Sequence, residues 1–166
     1  MKKQKGFSLI ELLIVVAIIL IIAAIAIPNL MRSRMAANES SAVGSLRTIN
    51  TAQVTYSTTY GTGFAPLANL GGPDPCTASA VTSCLLDSVL SAGTKSGYTI
   101  ATTAPAAVGT AVAPNVLYEA GGQPVAAGQS GQRSFCTDQS GVIRANPAGG
   151  APPANCAGAA AFVPLQ

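Results

Sequence analysis

The chain contains no histidine, and that single absence removes a large part of enzyme chemistry. Ser-His-Asp and Cys-His nucleophilic arrangements need an imidazole to take the proton, and the His-based metal motifs need it as a ligand. Acids are scarce too, with six in 166 residues: Glu11, Glu39, Asp74, Asp87, Glu119 and Asp138. They are scattered, so no close pair offers acid–base work and no calcium-loop pattern occurs. In Gly93-Thr94-Lys95-Ser96-Gly97 a phosphate-binding loop would need Gly where Thr94 stands, and no apolar strand leads into it; the stretch reads as a turn. Ser91 precedes Lys95 by four positions and misses the Ser-x-x-Lys spacing of acylating enzymes. An enzyme is not expected, nor a cofactor.

Basic charge is equally local. Nine Lys+Arg exceed six Asp+Glu by three, but Lys2, Lys3 and Lys5 lie in the first five residues, and without them the balance is six to six. A basic folded surface for nucleic acid is therefore unsupported. Arg32, Arg34 and Arg47 remain as solvated or subunit-bridging cations, with contact to anionic lipid or DNA the lesser alternative. Asn38-Glu39-Ser40 fits a glycosylation acceptor, but it falls on a helical stretch and is taken as chance.

What the chain has in abundance is hydrocarbon near its start. Residues 7–27 are apolar apart from Ser8 and Glu11, and as a helix they would span roughly 31 Å, the thickness of a bilayer's hydrocarbon. A secretory signal peptide shares the basic flank but has a shorter apolar part, and here no clean cleavage site closes the run. Lys2, Lys3 and Lys5 precede the span, which places the rest of the chain outside the cytoplasm. The four cysteines agree, because Cys76, Cys84, Cys136 and Cys156 all follow the span, where an oxidising compartment would pair them. Three connectivities are possible. The sequential one, Cys76 with Cys84 and Cys136 with Cys156, closes two short loops and is favoured; the spacings lack the close pairs of zinc sites.

Pro28 removes a backbone donor and predicts a stop, kink or loosening of the first helix. Helical spacing then resumes over 28–60, with Met31, Met35, Ala42, Leu46, Ile49, Tyr56 and Tyr60 on one face and Arg34, Asn38, Glu39, Ser45 and Asn50 as the polar remainder. Gly61 is a natural stop. The two helical pieces would reach on the order of 80 Å if continuous, a stalk. Residues 61–83 read as a loop, 85–92 as a short helix, 98–103 and 115–120 as strands, and 134–137 with 142–145 as a hairpin. The last twenty residues read as irregular, tied by Cys156. The expected fold is α+β: a long amino-terminal helix covering one face of a small antiparallel sheet.

Gly6-Phe7-Ser8-Leu9-Ile10-Glu11-Leu12, followed by an apolar run and Pro28, resembles the amino-terminal signature of type IV pilins and of the pseudopilins of type II secretion. The specific match covers residues 1–30. The resemblance implies that a prepilin peptidase cuts between Gly6 and Phe7, discarding a leader of residues 1–6, and methylates the new amine of Phe7. It implies further that residues 7–27 form a transmembrane and assembly helix and that residues 61–166 form an extracytoplasmic head. Glu11 then has a partner, the Phe7 amine of an adjacent subunit. A carboxylate in a span costs up to about 2.5–3.5 kcal/mol, less near the end, and is usually functional. The alternative is a Glu11 that snorkels to the headgroups. For Pro28 the two readings are loosening during packing and a marker of the membrane boundary.

On this reading the chain's main partner is itself, in a helical homopolymer drawn from the inner membrane by a platform protein and an ATPase. It would sit in membrane lipid before assembly and on the cell surface after it, serving adhesion, twitching motility or DNA uptake. A pseudopilin building a short periplasmic piston is the related alternative. A membrane-anchored binding or enzymatic head that keeps its leader is the alternative of another class.

Overall fold

The computed structural model describes residues 7–104 and 108–165. The expected leader, with Gly6, lies outside the described residues. Contacts divide the chain into two units, Met1–Arg34 and Met35–Gln166.

In the first unit the helix α1 (Leu9–Tyr60) begins, and its side chains from Leu9 to Leu30 are exposed apart from a partly covered Ala23. Among the described residues it is the one helix long and apolar enough to cross a membrane. Of the stop, kink or loosening expected at Pro28, the stop does not occur, since α1 continues past it. Proline lacks the N–H that would bond to the carbonyl four residues back, that of Ala24, so one bond is forfeited. The helical turns already formed on either side make propagation cheaper than renucleation, and the helix continues.

The second unit is built on residues 35–60 of α1, the single turns α2 (Leu67–Leu70) and α3 (Ser88–Ser91), and six strands: β1 (Thr94–Lys95), β2 (Tyr98–Ala104), β3 (Glu119–Pro124), β4 (Ser134–Asp138), β5 (Ile143–Asn146) and β6 (Val163–Pro164). The strands pair antiparallel in chain order, β1-β2-β3-β4-β5-β6. The fold class is α+β, a long amino-terminal helix with an antiparallel sheet. Ser96 and Gly97 make the two-residue turn between β1 and β2, both at positive φ (50° and 74°), as a hairpin of that length prefers.

Register decides which side chains meet the helix. Tyr98, Ile100, Ala120, Phe135, Thr137 and Ala145 fall on one face by the pairings Ile100 with Gly122, Ala120 with Thr137 and Phe135 with Ala145. This face packs with Ala42, Leu46, Ile49, Ala52 and Tyr56 of α1 in one continuous core. The expected stripe is thus shorter than its sequence pattern: Met31 is exposed, and Met35 and Tyr60 are only half-buried. Glu39 and Ser45, expected on the polar side, are buried.

The sheet's other face is also covered. All five residues of β4 are buried, and Cys136 packs with Cys156 and Phe162 in a second cluster. A Cβ on Gly121 would collide with the ring of Pro152, so glycine is what lets the carboxy-terminal segment lie flat on β3. This close approach also moves the second strand from the expected 115–120 to Glu119–Pro124. Asn115 instead forms an isolated bridge to Gly63, and its amide donates to the Phe64 carbonyl. Two shorter corrections follow the same logic. The helix expected over 85–92 begins at Ser88, because Asp87 caps it by accepting from the Leu90 N–H at 2.7 Å. The irregular tail contributes β6, whose Val163 pairs with Ala145.

Candidate functional site

The first turn of α1 holds the residues singled out by sequence. Phe7 is 89% exposed and precedes the helix, and Glu11 falls in its first turn. The Glu11 carboxylate accepts a hydrogen bond from the Ser8 backbone N–H at 2.9 Å, while the Ser8 carbonyl accepts from Leu12 N–H at 3.3 Å. This is the glutamate half of a capping box, satisfying one of the donors that every helix start leaves unpaired. It went unread in the sequence, although Ser8-Leu9-Ile10-Glu11 ahead of an apolar run is its signature. Glu11 therefore has a partner within its own chain, and a carboxylate here also complements the positive end of the helix dipole. Beyond it, Leu12 to Ile27 carry no polar side chain.

In the second unit α1 is held to the sheet by polar side chains as well as by its apolar stripe. Glu39 accepts from the backbone N–H groups of Gln132 and Arg133 at 2.9 and 3.1 Å, and from Arg133 Nε at 2.8 Å. Burial opposes the Glu39 charge, but these donors and the guanidinium outweigh it and hold the carboxyl below its ordinary value. Asn50 donates to Thr137 Oγ1 at 3.0 Å and accepts from the Tyr118 hydroxyl at 2.8 Å. Gln53, fully buried, donates to the Ala65 carbonyl at 2.7 Å and accepts the Ala65 N–H at 2.9 Å. The Tyr98 hydroxyl donates to the Arg133 carbonyl; burial and then the Glu39 charge push its phenol up to about 12.

Disulfides join Cys76 to Cys84 and Cys136 to Cys156. The second lies under the sheet beside Glu119, whose carboxylate accepts from the Cys156 N–H at 3.0 Å. Glu119, Asp138 and Cys156 gather their side-chain ligand atoms within 4.8 Å, but the Cys156 sulfur is in the disulfide and Asp138 is paired with Arg144 at 3.1 Å. That chemistry favours a structural ion pair over a metal, which needs free thiolate or carboxylate.

The chain is an α+β protein with an exposed apolar amino-terminal helix that Phe7 and Glu11 open, and with an antiparallel sheet and two disulfides in its second unit. Residues 1–27 match the family described as the prokaryotic N-terminal methylation motif. Among curated proteins the chain is similar to the type IV wide pilus major component PilA4 of Thermus thermophilus, 60% identical over 40 residues, which are 24% of this chain and 30% of that one. It is also similar to the type IV major pilin protein PilA of Myxococcus xanthus, 48% identical over 54 residues, 32% of this chain and 24% of the relative. The matched segments thus cover less than a third of either relative's length. No solved structure matches.

Proposed function

We propose that the chain is a structural subunit of a type IV pilus, assembled through α1 after a peptidase removes residues 1–6 and methylates Phe7. The observation that carries this reading is the exposure of residues 9–30, apolar but for Glu11 and Asn29, beside a head whose own core is closed without them. Such a surface is stable in lipid or against copies of itself and nowhere in water. A subunit waits in the inner membrane with its head outside the cytoplasm, and extraction exchanges lipid for neighbouring helices without wetting hydrocarbon.

Cleavage at Gly6 converts the Phe7 nitrogen from an amide to a cation. Glu11 of the adjacent subunit is the anion that meets it. In a dry helix bundle desolvation offsets much of the attraction, so the pair acts mainly on register. The Glu11 carboxylate has acceptor sites for both the Ser8 N–H and the incoming amine, so the new contact adds an ion pair to a bond that is already charge-assisted. Pro28 leaves the Ala24 carbonyl without its helical donor, a place where the helix can loosen during packing.

Intact mass of the membrane-extracted protein tests processing: a chain starting at methylated Phe7 supports the subunit, and retention of residues 1–6 makes it an uncleaved anchor. Electron microscopy of sheared surface fibres, with peptide identification, separates a long pilus from a short periplasmic pseudopilus. Adhesion, motility and DNA uptake are then assigned by loss of each in a deletion strain.

A further inference from the structure

Charge pairing in the second unit is nearly complete. Lys95 pairs with Asp87, Arg133 with Glu39 and Arg144 with Asp138. Among the described residues from Met35 onward this leaves one cation, Arg47, and two acids, Asp74 and Glu119, without an ion pair. Glu119 is half-buried and engaged with the Cys156 N–H. Arg47 and Asp74 are both exposed, and neither side chain has a hydrogen-bond partner among the described residues.

Their surroundings are complementary. Arg47 lines a groove of about 410 Å³ between α1 and the sheet, together with Ala36, Glu39, Val43, Arg133, Phe135 and Leu165. The Arg133 charge is largely committed to Glu39, at 2.8 Å. The groove therefore offers a mixed lining, four apolar side chains beside Glu39 and Ser40, and one cation without an ion pair. Asp74 stands between Pro73 and Pro75, all three exposed, immediately before the Cys76–Cys84 disulfide. Two prolines flanking one carboxylate stiffen this segment, so little backbone freedom is lost when it docks.

We propose that the α1–sheet groove receives the 73–75 loop of a second copy of this chain, with Asp74 against Arg47. This rests on the reading of the chain as a polymerising subunit and names one contact of the polymer. A groove on one copy and a loop on the next make a heterologous contact, which repeats into an open filament rather than closing a dimer.

The test uses fibres sheared from cells producing the full chain. A photoreactive residue in place of Val43, in cells making tagged and untagged copies together, is expected to cross-link to the peptide containing residues 73–75 of another copy. Arg47→Glu and Asp74→Arg are each expected to lower fibre yield roughly fivefold, and the double swap to restore most of it, the pattern of directly coupled sites. Unchanged disulfide content and thermal unfolding of the detergent-solubilised variants exclude misfolding as the cause. Wild-type fibres whose position-43 cross-links fall on other peptides, or on lipid, overturn the contact alone, as does a double swap no better than the worse single. If the wild type makes no fibre, the subunit reading itself fails and takes the contact with it.

Discussion

Glu39 holds Arg133 twice, accepting its backbone N–H at 3.1 Å and its Nε at 2.8 Å, so one carboxylate fixes both the start of β4 and the side chain that leaves it. The guanidinium carbon also lies 5.5 Å from the centre of the Phe135 ring. Because Glu39 is 8% exposed, its removal leaves the Gln132 and Arg133 backbone N–H groups without their acceptor, while the 44% exposed Arg133 side chain can turn to water. Glu39→Ala is expected to destabilise the head by about 2–3 kcal/mol, read from denaturant unfolding. Arg133→Ala, which leaves the two backbone donors in place, is expected to cost less.

Buried Glu39 and half-buried Glu119 have opposite pH signatures. Glu39 is held below its ordinary value of 4.5, so its contribution is present above that pH and fades as pH falls through the lower folded value. Glu119 is raised above 4.5, by burial first and by Asp138, with the Cys156 N–H and Arg144 opposing. The native state then binds that proton more tightly than the unfolded chain does, and stability rises as pH falls through the raised value toward 4.5. Melting temperature against pH checks both: Glu119→Gln is expected to flatten the slope above 4.5, and Glu39→Gln the slope below it.

Gln53 makes two hydrogen bonds to one residue, Ala65, and is fully buried. Gln53→Leu keeps the volume and abandons both backbone groups of Ala65. A loss of about 2–4 kcal/mol is expected, larger than for Thr51→Ala on the exposed side of the same helix, measured by the same unfolding curves.

Gly121→Ala sets a methyl group against the Pro152 ring. It is expected to cost about 1–3 kcal/mol and to make the Cys136–Cys156 bond more accessible to a mild reductant, followed by thiol labelling. Deleting that disulfide with paired serines should cost about 3 kcal/mol. Deleting Cys76–Cys84 should cost less, since it closes 8 residues against 20 and carries no core side chain.

For Glu11 two substitutions separate two roles. Glu11→Gln keeps an acceptor for the Ser8 N–H and removes the charge, whereas Glu11→Ala removes both. If charge governs assembly, fibre yield falls alike in both variants while membrane insertion is unchanged. Rescue by Gln would instead assign the effect to the capping bond.

How much of this was readable from the residues alone follows physical range. The apolar run, the Phe7–Glu11 signature and the 134–146 hairpin are local patterns, and the α+β class follows from them. β3 lies later than its residues suggest because Gly121 and Gly122 are poor strand formers, and the place of Gly121 in the strand depends on Pro152, far along the chain. Glu39 and Ser45 read as surface because periodicity cannot foresee a partner; the partners of Glu39 stand 93 and 94 positions later. The Ser8 bond to Glu11 was local and legible, but the expectation of an intersubunit partner drew attention from it. At Pro28 the helix continues instead of stopping, because turns already formed on either side make propagation cheaper than a new nucleus.

The roof over β3 and β4 has a consequence for how a defective copy would be told from a sound one. The apolar start of α1 is translated first, whereas the segment carrying Pro152, Cys156 and Phe162 comes more than a hundred residues later. A product broken off after Asn146 would keep all of α1 yet bare Cys136 and Gly121, leaving an unpaired thiol on an uncovered face of the sheet.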